Sequence, residues 1–348
     1  MKTLPIQSDS HIVILFGGSA NERLVSTASA QNLASHMKAA RIVFWDKNNA
    51  AAEVTAANLA AHANPFQNEF EPRQPHRVWA SLEAALDELA KGDPRTVVFL
   101  ALHGGDGENG VIQKKLEDRR LRYTCSDSRA SALAFDKMKT KDALRAKGIH
   151  LAEEFPFKPN QESQKSELHR FLKTHGRIVV KPLADGSSFG LAFLDTAAQL
   201  DDWWSKARTD TRAFLAEERI EGRELTVGIV QRLNGVQAMP ASEVVLERDA
   251  HFDYEGKYLG RGTREITPAE ISPDELRQAQ QVARLAHEAL GCRGYTRTDM
   301  IFNARGFFFL ETNTLPGLTK ASFIPQQLAA AGVPIETFLA EQVALSRG

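Results

Sequence analysis

Cysteine, long apolar runs and an excess of charge of either sign are all missing from this 348-residue chain. Cys125 and Cys292 are its only cysteines, too few for the disulfide framework of a small secreted scaffold, so a reducing compartment is expected. No stretch approaches the roughly 20 apolar residues that spanning a bilayer takes. The opening MKTLPIQSDS, which runs into HIVILF, is too short and too polar in front for a secretory signal. The cytoplasm is therefore the expected location, with no membrane partner. Lys and Arg number 43 against 44 Asp and Glu, which argues against a non-specific polyanion binder and a nucleic-acid partner. Hydrophobic residues at 43% exclude wholesale disorder, and the length allows two or three domains.

The pattern present is mixed. Residues 11–16 read as a buried parallel strand ending in Gly17-Gly18, a helix is expected over 24–36, and a second β-rich run covers 40–45, so the opening is βαβ-like. A polar insertion follows at about 62–76, then a helix up to Pro94, a strand over 96–102 and the glycine-rich loop HGGDGENG. Ligands gather at the carboxyl ends of such strands, which makes both glycine loops site candidates. A dinucleotide site is not expected, because the first loop carries Glu22 and Arg23 where pyrophosphate would need small residues. A capped helix over 136–148 leads to a second unit read as α+β, with strands at 177–181, 191–194, 213–217 and 224–232 and helices at 165–174 and 197–207. The last unit has a loop at 248–270, a long helix at 274–290, strands at 295–302 and 306–310, and a helical tail. Trp203-Trp204 is expected to pack a helix onto its sheet.

Three constellations could carry chemistry. KPLADGSSFG places Gly186, Ser187, Ser188 and Gly190 after Lys181; backbone N–H groups and hydroxyls in such a turn can surround an anion, although a solvated hairpin explains it as well. Arg297 and Asp299 are two apart, as are Glu311 and Asn313, so paired strands would present two carboxylates, an amide and a guanidinium on one face. Oxygen ligands of this kind suit magnesium rather than zinc, and Arg297 would balance charge on a phosphoryl group; an ion-pair network is the alternative. Lys257-Tyr258 lies in a glycine-rich stretch that could close over a site. His103, at a strand end, is suited equally to bonding a backbone group and to acid-base work.

Taken in order, FGGSANERLVS, ALHGGDGENGVIQ, RYTCSDSRASALAFDKMKTK, VVKPLADGSSFG, EERIEGRELTVGI, FDYEGKYL and LGCRGYTRTDMIF through FLETNTLPGLTKASFIP resemble the D-alanine:D-alanine ligase family of the ATP-grasp superfamily. The resemblance runs from about residue 16 to 325. It implies an α/β and α+β architecture: an ATP-grasp fold with an N-terminal Rossmann-like parallel-sheet domain on the substrate side (1–130), a central α+β subdomain (131–223) and a C-terminal catalytic and metal-binding subdomain (224–348).

By the same resemblance, Lys137 and Lys181 contact ATP phosphates, the loop with Ser187 and Ser188 covers them, Glu217 and Glu218 lie at the adenine hinge, and Glu224 accepts from ribose hydroxyls. Asp299, Glu311 and Asn313 would hold two Mg²⁺ ions, with Mn²⁺ a possible substitute. Glu22 would hold the first substrate's ammonium and His103 its carboxylate region. Arg297 and the Gly317 N–H would stabilise the oxyanion, Lys257 would follow the phosphoryl group, and Ser322 would receive the second carboxylate. Glu22, Ser187 and Tyr258 match the family's hydrogen-bonded trio, and a tyrosine at Tyr258 goes with dipeptide rather than depsipeptide formation. The implied activity is ATP-dependent ligation of two D-alanines, for peptidoglycan precursors, in a homodimer.

Leu24, Asn109, Cys125 and Asp185 depart from the family's common pattern without removing a ligand. Phe323, in place of a usual Leu beside Ser322, and the extra charge of Lys320 fall at the pocket for the second amino acid, so a ligase joining a different pair is the alternative. A non-catalytic nucleotide-binding relative would be favoured by loss of Arg297 or a metal ligand, and none is lost.

Overall fold

The computed structural model describes residues 11–183, 190–246 and 263–346. Three sheets organise them. The first contains β1 (Ile12–Gly17), β2 (Arg41–Trp45), β3 (Ala51–Val54), β4 (Arg77–Trp79), β5 (Val97–Leu100) and β6 (Arg122–Tyr123) in the order β4-β3-β2-β1-β5-β6. The pairs among β2, β1, β5 and β6 are parallel, and every residue of β1 is buried, as the apolar run IVILF implies. One edge differs from the expected parallel sheet: β3 and β4 pair antiparallel. Only residues 46–50 separate β2 from β3, too few for a crossover. Asp46 closes that turn by accepting the Asn48 and Ala50 N–H groups, each at 2.8 Å.

The second sheet is wholly antiparallel, β10-β9-β11-β8, from β8 (Glu154–Phe157), β9 (Ile178–Pro182), β10 (Ala192–Leu194) and β11 (Phe214–Glu218). Alternation decides its faces: Ile178, Val180, Phe214 and Ala216 join the core under the helices Lys165–His175 and Ala197–Ala207, with Trp204 stacked on Phe157. Lys181, Leu215 and Glu217 are left on the other face.

The third sheet runs β15-β14-β12-β16-β17-β7, from β7 (His150–Leu151), β12 (Arg223–Arg232), β14 (Ser242–Leu246), β15 (Thr263–Ile266), β16 (Tyr295–Asn303) and β17 (Gly306–Asn313), while β13 (Gly235–Ala238) pairs with β12. Part of the segment expected as a loop over 248–270 is thus the edge strand β15. β7 pairs with β17, and the preceding helix Lys137–Arg145 packs its Leu144 with Leu290 and Phe309, so both belong with this last sheet rather than the central one. The helix Pro273–Ala289, opened by a reciprocal Ser272–Glu275 capping box, covers one face through Ala279 and Ala283. Leu315, Leu318, Ile324 and Phe338 extend the core of the first sheet, joining the last segment of the chain to the first. No helix among the described residues is long and apolar enough to cross a membrane.

Candidate active site

The site is assembled from side chains of all three sheets. On the third sheet, Thr226 lies opposite Asp299 and Gly228 opposite Arg297. Asp299 in turn faces Glu311, and Arg297 faces Asn313. A regular hairpin could not produce the second set. From Asn303↔Gly306 to Met300↔Phe309 the register would carry Asp299 to Leu310, but a bulge between Asp299 and Met300 skips one residue. That single extra residue moves Glu311 and Asn313 onto the face of Asp299, the kind of re-aiming for which bulges occur beside active sites.

Asp299 is buried and fully engaged. Arg297 donates from Nε to Oδ1 at 2.8 Å and from Nη2 to Oδ2 at 2.6 Å, and Thr226 Oγ1 donates to Oδ1 at 2.5 Å. The Arg297 guanidinium also lies 5.6 Å from the centre of the buried Phe323 ring, so Phe323 braces the arginine. Asn313 Nδ2 is 3.4 Å from Asp299 Oδ2. Two carboxylates and an amide on adjacent strands form an oxygen donor set of the sort magnesium takes while retaining water and phosphate ligands, so the residues present fit that ion.

On the second sheet, Glu217 is held between two ammonium groups: Lys181 Nζ at 2.5 Å from Oε2, and Lys141 on Oε1. Burial alone would raise the Glu217 carboxyl, but the two lysines outweigh it and hold the group down at about 2. Lys141 also forms an ion pair with Glu154 Oε2 at 2.6 Å, without hydrogen-bond alignment. Lys141 had no assigned role in the sequence reading; its spacing of four from Lys137, on the face of one helix, is the signal that could have found it. Lys137 opens that helix behind its N-cap Asp136. Glu218, one residue beyond Glu217, points to the opposite face, where it accepts from Arg305 at 3.2 Å and from the Glu153 N–H at 3.3 Å, so the adenine-side role expected for it is not one its side chain can fill from there. On β12, alternation puts Glu224 on the same face as Thr226.

The first sheet contributes a clasp around residues 314–319. His103 bonds the Leu315 carbonyl through Nδ1 at 2.8 Å and Ser29 Oγ through Nε2 at 2.8 Å. Leu318 donates its N–H to the same Ser29 Oγ at 3.2 Å, and Asn32 donates to Leu318 O at 2.8 Å. Glu108 accepts the N–H groups of Gly104 at 2.9 Å and Leu315 at 3.0 Å. Burial pushes the His103 imidazole down to about 4, and nearby Arg297 adds to that shift. A neutral ring whose Nδ1 donates to a carbonyl must accept at Nε2, so neither nitrogen remains to donate to a substrate carboxylate; His103 here orients the 314–319 segment. Protein packed around Glu108 pushes its carboxyl up to about 7, with Glu22 and Glu311 adding to the rise against its two backbone bonds.

Glu22 is buried against Gly104, where φ is +64° and a Cβ would meet the Glu22 carboxylate at 2.3 Å. Only glycine serves at that position. Sequence reading missed Ser29, Asn32 and Glu108, although Glu22, Ser26, Ser29 and Asn32 form a polar stripe at helical spacing on an otherwise buried helix. Ser322 Oγ accepts the Thr319 N–H at 3.1 Å and lies where a Cβ on Gly317 would be, at 2.6 Å. Ser322 is the N-cap of the helix Phe323–Ala330 but makes no side-chain cap; of the first turn, Pro325 has no N–H and Gln326 donates its own to the Ser322 carbonyl at 3.2 Å. Ser187, Ser188, Lys257 and Tyr258 lie outside the described residues.

An antiparallel sheet with phosphate-suited lysines, a sheet with clustered metal-suited carboxylates and a mainly parallel sheet that clasps the 314–319 segment are the parts of an ATP-grasp enzyme. The chain belongs to the D-alanine–D-alanine ligase family. The family's "D-ala D-ala ligase N-terminus" profile matches residues 11–126 and its "D-ala D-ala ligase C-terminus" profile residues 144–344. The D-alanine–D-alanine ligase of Pediococcus pentosaceus is 38% identical over 72% of this chain and 68% of its own. That of Granulibacter bethesdensis is 33% identical over 92% of this chain and 93% of its own. In fold, the crystal structure of the VanG D-Ala:D-Ser ligase from Enterococcus faecalis matches with a TM-score of 0.79 at 23% identity, covering 96% of this chain and 98% of that one.

Proposed function

We propose that this chain is an ATP-dependent ligase that joins two D-alanines into D-alanyl-D-alanine, releasing ADP and phosphate, in the cytoplasmic supply of peptidoglycan precursors. The observation that carries the reading is the bulged register that sets Glu311 and Asn313 beside the Arg297–Asp299 pair.

A carboxylate resists nucleophiles and its oxygen is a poor leaving group, so it must be activated. The first D-alanine, its ammonium on Glu22, attacks the γ-phosphorus through a carboxylate oxygen, and ADP departs. Lys137 and Lys181 neutralise the phosphates, Lys181 moving from Glu217 to reach them. Glu217 then receives the adenine amine, and Glu224 the ribose. The amine of the second D-alanine attacks the acylphosphate carbonyl; Arg297 and the Gly317 N–H hold the oxyanion until phosphate leaves with the transferred oxygen. Ser322 receives the second carboxylate. Asp299, Glu311 and Asn313 would hold magnesium, two ions being proposed, and the metal would supply charge neutralisation at the β- and γ-phosphates. Lys257, Ser187, Ser188 and Tyr258 are proposed to complete the phosphate cover and the trio with Glu22.

The division into a substrate-side domain and two nucleotide-clamping subdomains, and a homodimeric state, belong to the same proposal. A second reading, an acceptor other than D-alanine, is favoured by Phe323, whose ring stands against Arg297 at the acceptor segment. Phosphate release with Mg-ATP and a panel of D- and L-amino acids, with product masses, tests both. D-Alanyl-D-alanine supports the first; release only with a mixed pair supports the second and overturns the first.

A further inference from the structure

One buried side chain bridges the acceptor segment and the metal-side strands, and it belongs to neither. Gln327 lies one turn along the helix that Ser322 caps, with no exposed surface. Its Oε1 accepts the Gly228 N–H at 2.9 Å, while Nε2 donates to the Thr226 carbonyl and to Ser242 Oγ, each at 3.0 Å. Thr226 and Gly228 are the cross-strand neighbours of Asp299 and Arg297, and Thr226 itself donates to Asp299. Gly228 has room for this amide only because it lacks a side chain: a Cβ there would lie 2.6 Å from Gln327 Oε1. The network continues from Ser242 to Thr267 at 2.7 Å, from Thr267 to Gln326 at 2.9 Å and from Gln326 to Glu265 at 2.7 Å, so the helix is pinned to β14 and β15 as well.

We infer that Gln327 is a positioning residue that locks the acceptor-binding end of the Phe323–Ala330 helix to the strand backing Arg297 and Asp299, so that acceptor recognition and the metal and oxyanion centre hold one relative geometry. The inference rests on the reading of Ser322 as the acceptor site. A Met at this position has similar length and no hydrogen-bonding groups, and would let the helix shift against β12. Because reaction rates fall steeply with misplacement of about an ångström, such a shift is felt at both ends. The Gln327 hydrogen bonds go to Gly228, Thr226 and Ser242, not to Lys181 on the second sheet or to Lys137 on its helix.

The test is Gln327→Met, read in three ways: KM for the acceptor amino acid against KM for ATP, Mn²⁺ affinity of the ADP complex by electron paramagnetic resonance, and the melting midpoint. The expected result is an acceptor KM raised about 10-fold or more, Mn²⁺ bound about 10-fold more weakly, and an unchanged ATP KM. Unchanged acceptor KM and Mn²⁺ affinity, with a lowered melting midpoint alone, would make Gln327 merely structural and overturn the inference. If Gln327→Met does not fold, Gly228→Ala with Gln327→Ala, in which the new methyl occupies the space of the lost amide, is judged on the same readouts. Ser322→Ala serves as the control. If it leaves the acceptor KM at the wild-type value, the acceptor-site reading falls and the inference with it; if it raises that KM while Gln327→Met does not, only the inference falls.

Discussion

Arg297 grips Asp299 through two parallel hydrogen bonds, Nε to Oδ1 at 2.8 Å and Nη2 to Oδ2 at 2.6 Å, from two positions along the same strand. The guanidinium proposed for the oxyanion therefore orients the carboxylate proposed for the metal, and the two functions share one geometric element. Planar two-point contact of this kind is specific to arginine.

Removing that arginine is expected to do more than delete one charge. Arg297→Ala should lower kcat at least about 100-fold, and Arg297→Lys should recover little of it, because a lysine cannot reproduce the paired bonds. Steady-state phosphate release checks both; a lysine variant near wild-type turnover would contradict the shared role.

Glu311→Gln keeps size and hairpin pairing while removing the charge that the bulge delivers beside Asp299. Turnover at fixed magnesium is expected to fall at least about 100-fold, with partial recovery as magnesium is raised. A magnesium titration of activity is the check, and an unchanged curve would remove Glu311 from the metal site.

Lys141 is buried between Glu154 and Glu217. Lys141→Met should destabilise the protein by about 1–3 kcal/mol, less than the cost of an orphaned buried charge, because Arg145 still pairs with Glu154 and Lys181 with Glu217. Glu217 would then rely on Lys181 alone, so the KM for ATP should rise as well. Denaturant unfolding gives the first quantity and nucleotide titration the second.

His103 sits well below its ordinary 6.5, at about 4, so it stays neutral when folded while the unfolded chain's imidazole takes up a proton. Its contribution to stability is therefore present above about 6.5 and lost as pH falls toward 4. Over that window the melting midpoint of the wild type should fall more steeply with acid than that of His103→Gln. The slope is compared, since the substitution also removes contacts; equal slopes would mean that His103 is not the buried neutral group described.

Much of this was legible in the chain. Alternation in 178–182 and 223–232 marks strands with one apolar face, and Ser272 with Glu275 marks a helix start, because local spacing alone fixes those features. The pairing of Arg297–Asp299 with Glu311–Asn313 was readable as two dipeptide spacings, but not the bulge at Leu310 without which they would face opposite sides. Glu108 and Gln327 were invisible for a different reason: each acts through a partner 207 or 99 residues away, and no local pattern encodes such a meeting. Ser29, Asn32 and Lys141 do lie on helical polar spacings, but the distant groups they meet cannot be read from those spacings. The β3–β4 edge escaped because the turn that leads into it from β2, residues 46–50, is polar and short and its strands are only four and three residues long.

The central claim is that a D-alanine carboxylate is activated by phosphoryl transfer and then captured by a second D-alanine. D-Alanine labelled with ¹⁸O in its carboxylate, turned over with unlabelled Mg-ATP, tests it most directly. The account predicts D-alanyl-D-alanine and one labelled oxygen in each phosphate released, since the attacking carboxylate oxygen leaves with the phosphoryl group. Unlabelled phosphate, or labelled phosphate without the dipeptide, would contradict it.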